Sequence, residues 1–532
     1  MKKRVGIVGA GISGLLACKY TIENGFHPAV FEAQDSIGGV WSQTMESTKL
    51  QNPRDSFQFS DFPWPASVKE LHPSHTQVME YLESYAQHFN LFPYIRFNCR
   101  VISLDYVGVP EEEMQTWYLW GGTGRAFSAR GKWNLKLQNT ERGCIEEYQF
   151  EFVILCIGKH SGFPNIPEFL PDHGPEVYKG KVVHSMEYSA LENARAAELV
   201  KGKTVAIIGS QKSAIDVATE CASVNGLDNP CTLIQRTIYW MLPHSHSSTV
   251  NLDFLFFSRF SELMVHKPGE TTLHSILATL LSPLRWAISK LVESYFRWEL
   301  PLKKYGMIPK HSFLEQFCSC QVPLLPESFY RKVAEGSIIL KKSQSIRFCQ
   351  EGLIVDYEHE PLKADIVILA TGFNGDEKLR NMFMSTTFRN CIRGPAAKQV
   401  PLYRQIIEPR IPQLGIIGYP ESYSNLQGSE IRCQWLAQFL CGNFELPSIR
   451  EMEKEIVEWE NYMKRYAGKY FWKTCISIPI WCNDQLCRDM GREPRRKKGL
   501  FAELFEPYGP LDYSGLAESK RLKRLSSHFN LS

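Results

Sequence analysis

The sequence predicts an α/β fold made of two Rossmann-like dinucleotide-binding domains, one inserted into the other, on three observations. A glycine triplet at G-x-G-x-x-G spacing, GAGISG, follows an apolar strand-like run near the start of the chain. A second unit, KTVAIIGSQKSAIDVATE, repeats that strand, turn and helix layout. Two stretches that mirror each other, EFVILCIGKHSGFPNIP and ADIVILATGFNGDE, bracket the second unit.

The opening MKKRVGIVGAGISGLLACKY has the basic start and short apolar centre of a secretory signal, but a targeting segment has no need of glycines at fixed spacing. A phosphate-binding turn does. After the strand-like run Val5 to Val8, Gly9 makes the tight turn, Gly11 leaves the backbone open to a pyrophosphate, and Gly14 lets helix pack closely on strand. The helix is expected from Ser13 to Asn24, stopping at Gly25, with its free N–H groups facing the phosphates. The strand-like run Ala29-Val30-Phe31 then leads to Glu32, 18 residues past Gly14, where an acid accepts hydrogen bonds from an adenosine ribose.

In the second unit the strand is expected over Thr204 to Ile208, the turn starts at Gly209 and carries Ser210 and Ser213, and Ile215, Val217 and Ala218 face inward from the helix. The turn departs from the pattern. Gln211 stands where the middle glycine belongs and Ala214 where the last one does; alanine is tolerated there, whereas Gln211 brings a side chain to the pyrophosphate's approach. The next strand, CTLIQRT, ends at Arg236, where an acid would bind the ribose of NAD and an arginine can hold the 2′-phosphate of NADP. A surface arginine at a strand end is the alternative.

The mirrored stretches end in turns at Gly158 and Gly372, as expected if an NADP module is inserted into an FAD module and the chain crosses between them twice. The expected division is residues 1–165 and 370–442 for the FAD-binding domain, 166–369 for the insert, and 443–532 for an extension covering the core. A length of 532 residues suits three or four units of about 150 residues.

Sixty basic against 57 acidic residues give a net charge of +3, which points to no nucleic acid or acidic partner. Fifteen cysteines, scattered without C-x-x-C spacing, suit reduced thiols in a cytoplasmic protein better than a disulfide framework. Cys482 and Cys487, five apart, have no histidine cluster nearby, so no metal is expected. The apolar segment from Ile276 to Phe296 is broken by Pro283, Arg285, Lys290 and Glu293, so no transmembrane span is expected. Ile288, Leu291, Val292, Tyr295 and Phe296 recur at helical spacing and predict a helix covering a core, in preference to peripheral contact with a membrane such as the endoplasmic reticulum. The run Arg495-Arg496-Lys497-Lys498 reads as a solvated turn.

The stretch YKGKVVHSMEYS is similar to the F-x-G-x-x-x-H-x-x-x-[YF] motif of flavin-containing monooxygenases, with Gly180, His184 and Tyr188 in place and Tyr178 for the usual phenylalanine. GAGISG, the E-A-Q-D-S-I-G-G-V-W run with Glu32, Gly38, Gly39 and Trp41, KLQNPRDSFQFSDFPWP, and the ATGF turn with Thr371 and Gly372 resemble the same family over nearly the whole chain. The likeness is to the plant subgroup that includes N-hydroxylating enzymes of pipecolic acid metabolism. It implies FAD and NADPH as cofactors, with Gly39, Trp41, Ser210, Ser213, Thr371 and Gly372 among the residues that hold them. It implies that NADPH reduces FAD, that the reduced flavin captures dioxygen as a flavin hydroperoxide, and that a soft nucleophile of a small molecule takes the distal oxygen. Amine or amino-acid nitrogen is the favoured acceptor, with thioether sulfur as the alternative. Asn52 matches the family's active-site asparagine, whose amide can hold the hydroperoxide and the nicotinamide ribose; the alternative is an asparagine that shapes a turn beside Pro53. His184 either orients cofactor where the domains meet or is a hydrogen-bonded structural histidine.

Rival readings share the modules. A disulfide reductase needs a redox cysteine pair near the flavin, and Cys18 is alone in the first helix. A Baeyer–Villiger monooxygenase would oxygenate ketones, and a non-catalytic protein of FAD-like fold would turn nothing over.

Overall fold

The computed structural model describes residues 3–127, 130–243, 252–356, 358–394, 400–470 and 475–516. The run RVGIV forms the central strand Arg4–Val8 of a five-stranded sheet, its Val5 and Ile7 fully buried. The spatial order is Leu414–Ile416, Phe152–Leu155, Arg4–Val8, His27–Phe31, Ile95–Arg96, all parallel. A parallel sheet with helices on its faces buries its strands on both sides, so FVIL and RVGIV need no polar alternation. The expected first helix is Ile12–Glu23, ending at Asn24 with Gly25 at φ +84°.

After Leu155 the chain leaves this sheet and builds a second, also parallel, ordered Ile338–Lys342, Cys231–Gln235, Val205–Ile208, Ile366–Leu369, Lys181–His184. It rejoins the first sheet only with Leu414–Ile416. The two crossings meet each other. Pro164 and Phe373 form an antiparallel bridge, Asn165 N–H donates to the Gly372 carbonyl at 2.9 Å, and Gly158 and Gly372 turn the chain at φ +64° and +90°. A narrow two-strand neck therefore joins the modules.

Helix Asn425–Leu440 lies against Ile12–Glu23 and is buried on nearly every side. Ser13 and Ser429 hydroxyls are 3.1 Å apart, and Tyr20 donates to Glu430 at 3.0 Å. The segment after residue 443 does more than cover this core. Arg259 of the insert makes a two-pronged ion pair with Asp484 at 2.6 and 2.9 Å, and the buried Glu262 accepts the Ile480 and Trp481 amides that open helix Pro479–Asp489.

Three expectations need correction. Cys320 and Cys475 form a disulfide across 155 residues, while the other described cysteines are free thiols. Spacing rules detect cysteines close in sequence and are blind to this pair. Second, the segment expected to be broken at Pro283 is one continuous helix, Thr272–Glu299; among the described residues it is long and apolar enough to cross a membrane by length and composition only, a test that a core helix passes as well, and 22% of its most apolar window is buried. Pro283 removes one hydrogen bond, which a helix of 28 residues can absorb. Val292 and Phe296 face the core as expected, together with Arg285 and Glu293, but Leu291 is 70% exposed. Third, the basic run is only partly solvated: Arg496 donates to the Asp512 carbonyl at 2.8 Å and Lys497 pairs with Asp512 at 3.1 Å.

Candidate active site

The three glycines of the first turn have different steric duties. Gly9 sits at φ +100°, and a Cβ there would fall 2.5 Å from the Cys156 carbonyl oxygen; at Gly14 it would fall 1.9 Å from the Gly9 carbonyl oxygen. Both are demanded by the close approach of turn, helix and strand. Gly11 is at φ −72°, ordinary backbone, and a Cβ would meet only Gly39, at 3.5 Å from its Cα. Gly39, at φ +60°, comes from the GGVW loop, which the Gly38 amide ties to the Ala10 carbonyl at 3.1 Å. Two side-chain-free backbones thus face each other at the mouth of the turn. Trp41 anchors that loop through its carbonyl, 2.7 Å from His75 Nε2, and its ring lies 6.3 Å from Phe57. Glu32 stands at the end of its strand as expected, buried, with one carboxylate oxygen accepting the Ala10 amide at 2.7 Å and the other the Gln34 amide at 2.9 Å. That pins the carboxylate beside the turn with lone pairs to spare.

Both helices at the glycine turns begin without a side-chain cap; Asn193–Val200 and Phe329–Glu335 share that property, so it leaves room for a phosphate without marking one. Helices His75–His88, Thr272–Glu299, Asn425–Leu440 and Ile449–Ala467 all begin with a Ser or Thr whose side chain accepts a first-turn amide. At Ile12–Glu23 and Lys212–Asn225, which begin at the two glycine turns, the first N–H groups are left for a phosphate. The residues present therefore fit FAD at the first turn and NADPH at the second.

At the second turn a Cβ on Gly209 would fall 2.5 Å from the Ala370 carbonyl oxygen. Gln211, the residue out of pattern, donates through Nε2 to Gln321 Oε1 at 2.8 Å, and Gln321 is itself held by Gln316, whose Nε2 donates to the Gln321 carbonyl at 2.6 Å. A side chain in the glycine's place is thus given a fixed partner across 110 residues. Ser210 is half-buried and Ser213 exposed. Arg236 is exposed at the end of Cys231–Gln235, without an ion pair among the described residues, while its carbonyl accepts Gln344 Nε2 at 3.0 Å.

The family-motif residues and the ATGF turn build the neck and the edge of the insert. A Cβ on Gly180 would run into the Tyr178 ring and fall 2.5 Å from the Asp365 carbonyl oxygen, and the Tyr178 hydroxyl donates to the Ala364 carbonyl at 2.8 Å. His184 caps helix Ser185–Ser189, its Nδ1 accepting the Met186 amide at 3.1 Å, and its ring lies 5.7 Å from Phe373; burial pushes its pKa down. Tyr188 is fully buried and donates to Glu220 at 3.2 Å. Thr371 spends its hydroxyl on the Asn165 carbonyl, and its own carbonyl accepts Asn165 Nδ2 at 3.0 Å. Gly372 has open space where a side chain would stand.

Asn52 lies where the modules meet. Its Nδ2 donates to the Tyr423 carbonyl at 2.7 Å, His72 Nδ1 is 3.2 Å from its backbone carbonyl, and Gln51 beside it accepts the Leu324 amide at 3.4 Å. Among the described residues, one amide N–H and the Oδ1 of Asn52 remain for a ligand. Tyr423 is wedged against Phe257, 4.3 Å between ring centres, and lines a solvent-connected cleft that also holds Ser56, Asp253, Ser424 and Arg432. None of these, nor Gln321, carries a sequence signal; each is brought in by folding. Lys378 is another: it donates to the Ile157 carbonyl at 2.7 Å and Ser161 Oγ at 3.0 Å, and burial, offset by the Glu32 carboxylate, pushes it down to about 8.

The chain matches the family described as Flavin-binding monooxygenase-like over residues 2–495. It is 40% identical over 515 residues to a protein named Probable flavin-containing monooxygenase 1 from Arabidopsis thaliana, covering 96% of each. Among solved structures it is similar to the S-allyl-L-cysteine S-oxygenase of Allium sativum (TM-score 0.57, 18% identity, 99% of this chain and 95% of that one). It is also similar to the OTEMO complex with FAD and NADP (TM-score 0.65, 16% identity, 91% of this chain and 98% of that one). The family match over nearly the whole chain and the 40% identity to that relative decide the matter: the chain belongs to the flavin-containing monooxygenases, enzymes that use FAD and NADPH.

Proposed function

We propose that the protein transfers one atom of dioxygen to the nitrogen of a small amine or amino acid. The observation that carries this reading is Asp253. It is the one acid among the described residues lining the cleft that Tyr423 shares with the Asn52 site, it accepts the Ser56 hydroxyl at 3.2 Å, and burial pushes its carboxyl above the usual range. Nitrogen is oxidised at its lone pair, and at neutral pH an amine arrives protonated. A buried carboxylate, more basic than one in water, takes that proton and leaves the lone pair free.

FAD, once reduced by NADPH, supplies the activation of dioxygen. The chain's own groups do the rest. The helix N-termini at the two glycine turns hold the pyrophosphates, Glu32 the adenosine ribose, and Arg236 the 2′-phosphate. Asn52, held by the Tyr423 carbonyl, offers its second N–H to a ribose hydroxyl or an oxygen placed beside it, and the tilted pair of Tyr423 and Phe257 gives the cleft an apolar wall next to it.

Sulfur is the second reading. A thioether needs no proton removed, the apolar wall of Phe257, Ile476 and Ile480 suits it, and one structural neighbour is named an S-oxygenase. Oxygen uptake by the FAD-loaded protein with NADPH, across amines, amino acids, thioethers and ketones, separates the readings. Amines or amino acids should gain one oxygen by mass; gain confined to thioethers or ketones refutes nitrogen.

A further inference from the structure

We propose that the cleft behind Tyr423 is a receptor for a substrate carboxylate, with Arg432 as its cation, so that the enzyme acts on amino acids or similar small acids in preference to simple amines; this rests on the cleft being the substrate site.

Arg432 lies in the middle of helix Asn425–Leu440 with 2% of its surface exposed. Its Nη1 donates to the Gly428 carbonyl at 2.8 Å, its Nε has no partner, and no carboxylate among the described residues pairs with it. The half-buried arginines have carboxylate partners: Arg404 meets Asp489 at 2.7 Å and also pairs with Glu455, and Arg259 meets Asp484 at 2.6 Å. The other buried one, Arg285, donates to Cys318 Sγ at 3.4 Å and lies over the Tyr466 ring at 5.2 Å, with its Nη1 unpartnered among the described residues. A buried cation left alone is costly, and the cost is removed by an anion that enters with the ligand. Burial pushes the guanidinium down to about 10, which leaves it charged at neutral pH.

The cleft it lines is open to solvent and carries Ser422, Ser424, Gln427 and Asn483 as polar neighbours able to complete a carboxylate's hydrogen bonds. It also holds Asp253. A zwitterion therefore finds a cation for its carboxylate and an acid for its ammonium in one cleft, while its other wall reaches Tyr423, to which Asn52 is bonded. A simple amine would leave Arg432 uncompensated.

The test compares matched pairs on the FAD-loaded full chain: lysine with 1,5-diaminopentane, and methionine with 3-(methylthio)propylamine. Binding is read by thermal shift and tryptophan fluorescence, and product by mass. Each acid should bind about 100-fold more tightly than its decarboxylated partner, equivalent to about 2.7 kcal/mol. Arg432→Met should erase that ratio, and Arg432→Lys should keep part of it. Equal binding within each pair in the wild-type protein overturns the proposal even if no variant folds. The two readings separate cleanly: methionine preferred but oxygenated only at sulfur keeps Arg432 and sinks nitrogen, whereas 1,5-diaminopentane N-oxygenated as well as lysine keeps nitrogen and sinks Arg432.

Discussion

Alanine at Gly11 and at Gly14 should damage the protein in opposite ways. At Gly11 the backbone is extended, φ −72° and ψ −174°, and the new Cβ would lie 3.5 Å from Gly39 Cα and 3.8 Å from Gly39 N, ordinary contact. The apoprotein should accept it, or gain about 0.4–1 kcal/mol through its unfolded chain. The same methyl group fills the pyrophosphate's closest approach. Losing one charge-assisted hydrogen bond of about 1.5–3 kcal/mol weakens FAD roughly 10- to 100-fold. At Gly14 the Cβ would fall 1.9 Å from the Gly9 carbonyl oxygen and 2.8 Å from its carbon, so helix must lift off strand. That is backbone overpacking of about 1–3 kcal/mol or more, or about 2–4 °C of melting temperature per kcal/mol. Flavin-to-protein absorbance, FAD titration into apoprotein and apoprotein melting distinguish the two. Wild-type FAD affinity in Gly11→Ala, or an apoprotein Tm lowered as far as in Gly14→Ala, would refute the division of labour.

Arg236→Ala should cut the NADPH over NADH preference by about tenfold, the effect of one exposed charge-assisted contact; an unchanged ratio in flavin reduction means another residue reads the phosphate. Asn52→Asp replaces the 2.7 Å bond to the Tyr423 carbonyl by two acceptors facing each other, at a cost of about 1–3 kcal/mol. Reduction by NADPH should stay within a few-fold while hydrogen peroxide release rises and product falls; undiminished product yield would make Asn52 a turn residue. Glu430, buried and beside Asp61, has its carboxyl pushed up to about 7 from an ordinary 4.5. A raised acid binds its proton more tightly when folded, so its stabilising contribution is full below about pH 4.5 and is lost as pH rises through 7, about 3 kcal/mol in all. In Glu430→Gln the melting temperature should fall less than in wild type between pH 5 and 8, and identical pH slopes would show that Glu430 does not titrate there.

What the sequence determined by itself was whatever depends on the sterics of a few neighbouring residues. Gly9, Gly14 and Gly209 are required because backbone approaches backbone at those turns, and Glu32 and Arg236 stand where a strand ends, at a predictable distance from the turn that precedes it. The neck was legible for the same reason, as two apolar strands each closed by a glycine at positive φ. Tertiary structure alone decided the rest. Gln211 reads as an obstruction until Gln321 appears beside it, and nothing near Asn52 in sequence tells that the Tyr423 carbonyl, 371 positions away, receives its amide. The family-motif histidine caps a five-residue helix, and no spacing distinguishes that from a role at the cofactor. Cys320 and Cys475 meet across two modules, and Leu291, on a stripe that reads as core, ends up outside. The physical reason is common to all of these: hydrogen bonding, pairing and burial are settled by which distant surfaces come together, and Arg432 carries meaning only because folding buries its charge without a partner.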